Sequence, residues 1–263
     1  MERSKVMEFF DSHAHYNDEK FDLDREKVIK DIYEDGITKM VTVGYDLESS
    51  KRAIEISEKY GFMYATCGIS PNDVQNVDID SRILAISELA KHKKIVAIGE
   101  IGLDYYWNKE NKELQKEYFI KQINLANKLN LPIVIHSRDA IEDTINILKN
   151  VEVKKKGIFH CCMQNSYLIK EALKLGFYIS FAGPITFKNS KHAEEVINIV
   201  PLEKLLIETD SPYLAPEPKR GTRNDSRNVK LVAKKIADVK NIDIEQVAEI
   251  TYKNAKCIFN IMN

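Results

Sequence analysis

The stretch FFDSHAHYND, residues 9–18, sets His13 and His15 one residue apart, with Asp11 two residues before them, in a chain that holds six histidines in all. Alternate side chains of an extended strand share a face, which predicts that Asp11, His13 and His15 point the same way. Two imidazoles on one face at a strand end can grip one metal ion. The plainer alternative is a pair of packing or surface histidines, because H-x-H is a short pattern.

The elements that would position these residues are short β-branched runs separated by longer segments of helical period. Strands are predicted at 7–15, 39–45, 63–69, 94–103, 132–137, 157–162, 177–183 and 204–211. Amphipathic helices are predicted between them, among others at 22–35, 48–60, 112–130, 165–175 and 189–199, with a helix pair over 226–262. Val247, Ile250, Thr251, Asn254, Ile258 and Phe259 fall on one side of the last helix and predict its docking onto the body. Strand–helix alternation without a linker implies a parallel sheet covered by helices. Eight such units in 263 residues predict an α/β fold of the (β/α)8 TIM-type barrel class, one domain over residues 1–263. A doubly wound sheet is the alternative, but no G-x-G-x-x-G follows the first strand.

On that skeleton Glu100, His136, His160 and Asp210 join His13 and His15 at strand C-terminal ends, the face where barrel enzymes place their chemistry. His92 and His192 fall in helix or loop stretches and are expected to be exposed. Four imidazoles and two carboxylates converging in a barrel mouth call for one or two divalent cations. Mixed nitrogen and oxygen ligation suits zinc, manganese, iron, nickel or cobalt, and magnesium can use the carboxylates. A glutamate between two histidine pairs can bridge two ions, which activate water and polarise a phosphoryl or carbonyl oxygen. Asp210 could ligate, take a proton from water, or do both. Asp11 and Glu208 are read as partners that orient the ligands.

Composition bounds the rest. The chain is 44% hydrophobic and 30% charged, with 39 basic against 40 acidic residues, so no overall field steers it to a polyanion or a membrane. Cys67, Cys161, Cys162 and Cys257 are too scattered for a disulfide framework, which favours a reducing, cytoplasmic setting. No secretory h-region and no membrane-spanning run is read from the sequence, and no obligate protein partner is implied.

With these residues assembled, the chain resembles the TatD family of metal-dependent deoxyribonucleases, within the amidohydrolase-like barrel superfamily. FDSHAH resembles the family's opening H-x-H, and IGEIGLDYYW its E-x-G-L-D-[YF] motif. LPIVIHSRDA and YISFAGPITFK are similar to its fifth- and seventh-strand segments, LLIETDSPYLAP with KRGTRND to its eighth, and NAKCIFN to its last helix. The resemblance implies two divalent ions (Mg2+, Zn2+ or Mn2+). His13, His15, Glu100 and Asp210 would surround one, and Glu100, His136 and His160 the other, with Glu100 bridging. It implies phosphodiester hydrolysis in a DNA or oligonucleotide substrate, with 3′–5′ exonuclease character and Asp210 and Glu100 as catalytic residues. Two departures stand out. Ser70 and Asn72 occupy positions where the family commonly has histidines, and HCCMQN replaces a C-F-S-G pattern after His160.

Arg138, Lys219, Arg220 and Arg223 follow strands five and eight and are candidates for gripping phosphates. Tyr105, Tyr106 and Trp107 follow strand four, where they could stack unpaired bases or close a lid, while Asp104 could hold a substrate hydroxyl or cap the next helix. Cys162 has the parity of His160 and is either a thiol facing the metals or a packing residue. Rival functions are a metal-dependent ester or amide hydrolase, with a lactone or aminoacyl ester substrate, and a non-catalytic binding protein. Retention of all six ligand-type residues argues against the latter.

Overall fold

In the computed structural model, which describes residues 7–162 and 164–262, eight strands pair in parallel and in chain order. They are β1 (Phe9–Ala14), β2 (Ile37–Val43), β3 (Met63–Cys67), β4 (Ile95–Asp104), β5 (Ile133–Arg138), β6 (Gly157–Phe159), β7 (Tyr178–Phe181) and β8 (Leu205–Ile207). The helices are α1 (Arg25–Glu34), α2 (Leu47–Lys59), α3 (Ile79–Leu89), α4 (Lys112–Leu129), α5 (Ile141–Asn150), α6 (Ser166–Lys174), α7 (Ala193–Ile199), α8 (Val229–Lys240) and α9 (Ile244–Ile258). Sequential order excludes the doubly wound alternative, whose strand order reverses at a switch point. The fold is a nearly closed (β/α)8 barrel.

Alternation along the strands sorts the core into two layers. Phe10, Val41, Val43, Val134, Ile158 and Leu206 pack inside the barrel. Their neighbours Phe9, Ala65, Ile133, Phe159, Ile179 and Leu205 face the helices. The interior is closed at its N-terminal end by α9 and the turn after it, through Ala255, Phe259 and Ile261. Burying each of the two larger side chains contributes ~1.5–3 kcal/mol. Asn254 of the same helix donates to the carbonyls of Leu202 and Leu205, at 2.8 and 2.9 Å, tying α9 to the entry of β8.

The seam between β8 and β1 is closed by contacts at the ligand-type residues themselves. Asp210 N donates to His13 O at 2.9 Å and His15 N to Ser211 O at 2.6 Å, while Ser12 Oγ donates to Ile207 O at 2.9 Å. Strands β6 and β8 end earlier than their sequence predicts, at Phe159 and Ile207. Cys161 (φ 37°) and Asp210 (φ 57°) take left-handed backbone conformations that an extended strand does not admit. His160, Glu208 and Asp210 therefore lie on the first turns past the barrel rather than in its ladder. Among the described residues no helix is long and apolar enough to cross a membrane.

Candidate metal centre

His13, His15, Glu100, His136, His160 and Asp210 converge at the C-terminal mouth. His13 Nε2 and His15 Nε2 face each other at 3.2 Å. Glu100 Oε2 lies 3.5 and 3.8 Å from them, and Asp210 Oδ1 lies 3.6 and 3.2 Å away. The other oxygen of Glu100 turns to a second pair: Oε1 is 2.9 Å from His136 Nδ1 and 3.2 Å from His160 Nε2, which are 3.1 Å from each other. The two halves also touch directly, His13 and His160 stacking at 4.0 Å between ring centroids.

These spacings test whether an ion fits. Four ligand atoms arranged tetrahedrally at ~2.1 Å from a cation stand ~3.4 Å apart. Three sets meet that condition closely enough for their ligand atoms to lie within 4.8 Å of one another: His13, His15 and Glu100; Glu100, His136 and His160; and His13, His160 and Asp210. The tautomers agree. His15 Nδ1 donates to Val43 O at 3.0 Å, and His136 Nε2 to Asp104 Oδ2 at 2.9 Å, so the opposite ring nitrogen of each presents a lone pair to the cluster. His160 Nδ1 stands at ion-pair distance from Glu208 Oε1, 3.4 Å, yet neither it nor His13 Nδ1, both buried, has a hydrogen-bond partner among the described residues. Lone pairs aimed at one another and at a carboxylate repel unless a metal ion or a proton lies between them.

Protonation preferences follow from the same crowding. Burial raises the Glu100 pKa, but the His160, His13 and His136 imidazoles outweigh it and hold the carboxyl well below its usual range. Burial lowers the His160 pKa, but Glu100 and Glu208 raise it well above the ordinary imidazole value. His136 and His15 shift upward in the same way, through Asp104 with Glu100 and through Asp210 with Glu100 respectively. His13 shifts down, because burial and the neighbouring His160 dominate. Asp210 stays ionised below its usual range, burial being outweighed by His15.

The carboxylates behind the ligands divide differently from the expectation. Glu208 does reach His160, and also accepts from Cys161 N at 2.7 Å. Asp11 does not reach a ring: it accepts from His13 N at 3.3 Å, from Thr209 N at 3.0 Å, and from the hydroxyls of Thr209 and Ser226. The β1 ladder shifts register between Asp11 and Ala14, breaking the alternation that put Asp11 on the histidine face. Its burial pushes the carboxyl up to about 7, against the hydrogen bonds from Ser226 and Thr209. Asp104, read as a cap or substrate contact, instead holds His136, while its Oδ1 accepts from Tyr106 N at 2.9 Å and Trp107 N at 3.0 Å. Its position two pairs along β4 from Glu100 was the available signal. Gly102 between them permits the approach, since a Cβ there would lie 2.0 Å from His136 O at φ +137°.

A cavity of about 620 Å³ opens onto the cluster, lined by His136, His160 and Asp210 with Arg138, Trp107 and Tyr213. Of the four basic candidates only Arg138 lines it. Arg223 is drawn into a two-pronged ion pair with Asp24, at 2.8 and 2.6 Å, and Arg220 stacks on Phe187 at 4.2 Å. Lys219 is exposed and outside the lining. A partner almost two hundred positions away is invisible to a local reading of Arg223. Ser70 Oγ donates to Asp73 at 2.6 Å, and Asn72 Nδ2 meets Asp104 Oδ2 at 3.4 Å, so neither touches the histidines. Cys162 packs in the apolar layer, where burial keeps its thiol protonated, and also borders the cavity. His92 is half-buried against Glu58 at 3.0 Å rather than free in solvent, and His192 is exposed.

An eight-stranded barrel with this rim of imidazoles and carboxylates defines a metal-dependent hydrolase. The chain belongs to the TatD family: the model of TatD-related DNases matches residues 10–260. It is 47% identical over 254 residues to the uncharacterized metal-dependent hydrolase YabD of Bacillus subtilis, covering 96% of this chain and 99% of that one. Over 198 residues it is 40% identical to the uncharacterized metal-dependent hydrolase YcfH of Escherichia coli, covering 74% and 73%. Among solved structures, YJJV, a TatD homolog from Escherichia coli K12, superposes with a TM-score of 0.92 at 25% identity, covering 98% of this chain and all of that one.

Proposed function

We propose that the protein hydrolyses phosphodiester bonds in DNA with two divalent ions, held by His13, His15, Asp210 and Glu100 on one side and by His136, His160 and Glu100 on the other. The observation that carries this is Glu100, whose two oxygens face two different histidine pairs. Such ions, when bound, supply Lewis acidity that activates water and neutralises charge on a phosphoryl group.

The protein's own groups do the rest. Asp210, ionised and bordering the cavity, takes the proton from the attacking water, whose oxygen bonds to phosphorus as the ester oxygen leaves. Arg138, which lines the same cavity from the end of β5, offsets charge developing on the phosphoryl oxygens. The test is cleavage of single-stranded DNA by purified protein across magnesium, manganese and zinc, with and without chelator. Metal-restored cleavage that disappears in His136→Ala supports the proposal; undiminished cleavage after complete metal removal defeats it. A second reading, ester or amide hydrolysis, draws on Ser70 and Asn72 standing where the resemblance expects histidines. Nuclease and esterase rates of one preparation separate the two.

A further inference from the structure

His13, His15 and Asp210 straddle the place where the ladder of the sheet gives out. Parallel pairs run in order from β1 to β8, and the return from β8 to β1 falls to a few bonds around residues 11–15 and 207–211. There Asp210 takes its left-handed conformation, φ 57°, beyond the end of β8. A side chain other than glycine keeps such a backbone only where its surroundings impose it.

The hydroxyl of Thr209 imposes it from both flanks. It accepts from Ser211 N at 3.3 Å and Ser211 OH at 2.7 Å, reaching over Asp210, and donates to Asp11 Oδ2. Its one donor and two acceptor positions are thereby all used. Asp11 completes the bracket, because its Oδ1 accepts from the amides of Thr209, at 3.0 Å, and His13, at 3.3 Å, one from each side of the seam. Behind it Ser226 OH donates to Oδ2, and Tyr16 OH donates to Ser226 Oγ at 3.0 Å while accepting from Ser226 N at 2.9 Å. All five of these residues are fully buried. A buried carboxylate is a poor source of stability by itself, since apolar side chains fill such space without its desolvation cost. A buried network with its donors and acceptors matched does fix geometry.

We propose, resting on the two-ion reading above, that Thr209 and Asp11 are positioning residues: the hydroxyl, held by Asp11, locks the turn that aims the Asp210 carboxylate at His13 Nε2 and His15 Nε2. Neither touches an ion or a substrate in this role; both act through Asp210. Ser226 and Tyr16 hold Asp11 from behind, so the cost of removing a donor falls with its distance from Asp210.

Thr209→Val keeps the shape and removes the hydroxyl, whereas Thr209→Ser keeps the hydroxyl. Full-length proteins are titrated calorimetrically with manganese, and anomalous peak heights at limiting manganese assign each loss to one side of Glu100. Kinetics on a single-stranded oligodeoxynucleotide at saturating manganese give kcat and KM. Thr209→Val is expected to weaken manganese on the His13–His15 side by ~10–100-fold, to spare the His136–His160 side, and to lower kcat about tenfold at unchanged KM. Thr209→Ser restores all three, and Tyr16→Phe gives a smaller loss on the same side. A loss shared equally by both sides, a loss that Thr209→Ser does not recover, or a Thr209→Val protein that only melts lower, with manganese and kcat unchanged, overturns the assignment. Should Thr209→Val fail to fold, Tyr16→Phe decides: a loss on the His13–His15 side supports the assignment and no loss overturns it. A protein that cleaves no phosphodiester in any metal refutes the proposed reaction, and the manganese titrations still decide the positioning.

Discussion

His13, His15 and Asp210 are positioned by main chain, whereas His136 and His160 are positioned by carboxylates. In the first half, Val43 O fixes the His15 tautomer, and the amide of Asp210 bonds His13 O across the β8–β1 seam. In the second, Asp104 and Glu208 stand behind the two rings at 2.9 and 3.4 Å. A carbonyl fixes direction without adding charge; a carboxylate also raises the ring's basicity and its strength as a ligand. One half therefore depends on barrel closure and the other on two replaceable side chains. Glu100 joins them.

Removing the joint should have the largest effect. Glu100→Ala is expected to lower hydrolysis by on the order of 10³-fold or more, about 4 kcal/mol of barrier, and to empty both halves of metal, read by elemental analysis beside kinetics. Loss from one half alone would show that the halves do not share it. Asp210→Asn should cost ~10²–10⁴ in kcat, as loss of a general base does, while the second half retains its metal. Equal loss of metal from both halves would make Asp210 a ligand for the whole cluster.

Asp104→Asn and Glu208→Gln should each weaken metal binding to the second half by ~10–100-fold and spare the first, measured by calorimetric titration. Uniform weakening would erase the distinction between the halves. The same contrast bears on pH. In metal-free protein the His15, His136 and His160 pKa values are raised above 6.5, so their protonated forms stabilise the fold below that value. That contribution is lost as pH rises through the raised values. Asp11, raised to about 7, adds to the decline over the acid side of neutrality, and the depressed pKa of His13 opposes it. Glu100, held well below its ordinary 4.5, contributes stability above that value and loses it only as pH falls further. Chelated protein should melt at a lower temperature at pH 9 than at pH 6 by a few degrees, on the order of 1 kcal/mol, with added metal shrinking the difference. A melting temperature that rises over this range would contradict the assignment.

What the sequence displayed and what it concealed divide along a physical line. Eight strands and the clustering of histidines at their ends are local patterns, repeated every thirty or so residues, and the barrel follows from them. Strand ends at Phe159 and Ile207 were concealed because left-handed backbone at Cys161 and Asp210 carries no glycine or asparagine to announce it. The turning of Asp11 toward Thr209 and Ser226 arises from a register shift within β1, and the capture of Arg223 by Asp24 from a contact between distant segments. Asp104 was visible as a residue but not as a partner, since its bond to His136 exists only when β4 and β5 are in register.

The central claim is that one glutamate stands between two metal positions. Anomalous diffraction from crystals of manganese-loaded protein tests it directly. Two peaks are predicted ~3.5–4 Å apart, one on the His13–His15–Asp210 side of Glu100 and one on its His136–His160 side. A single peak touching only one histidine pair, or manganese bound away from Glu100, would contradict it.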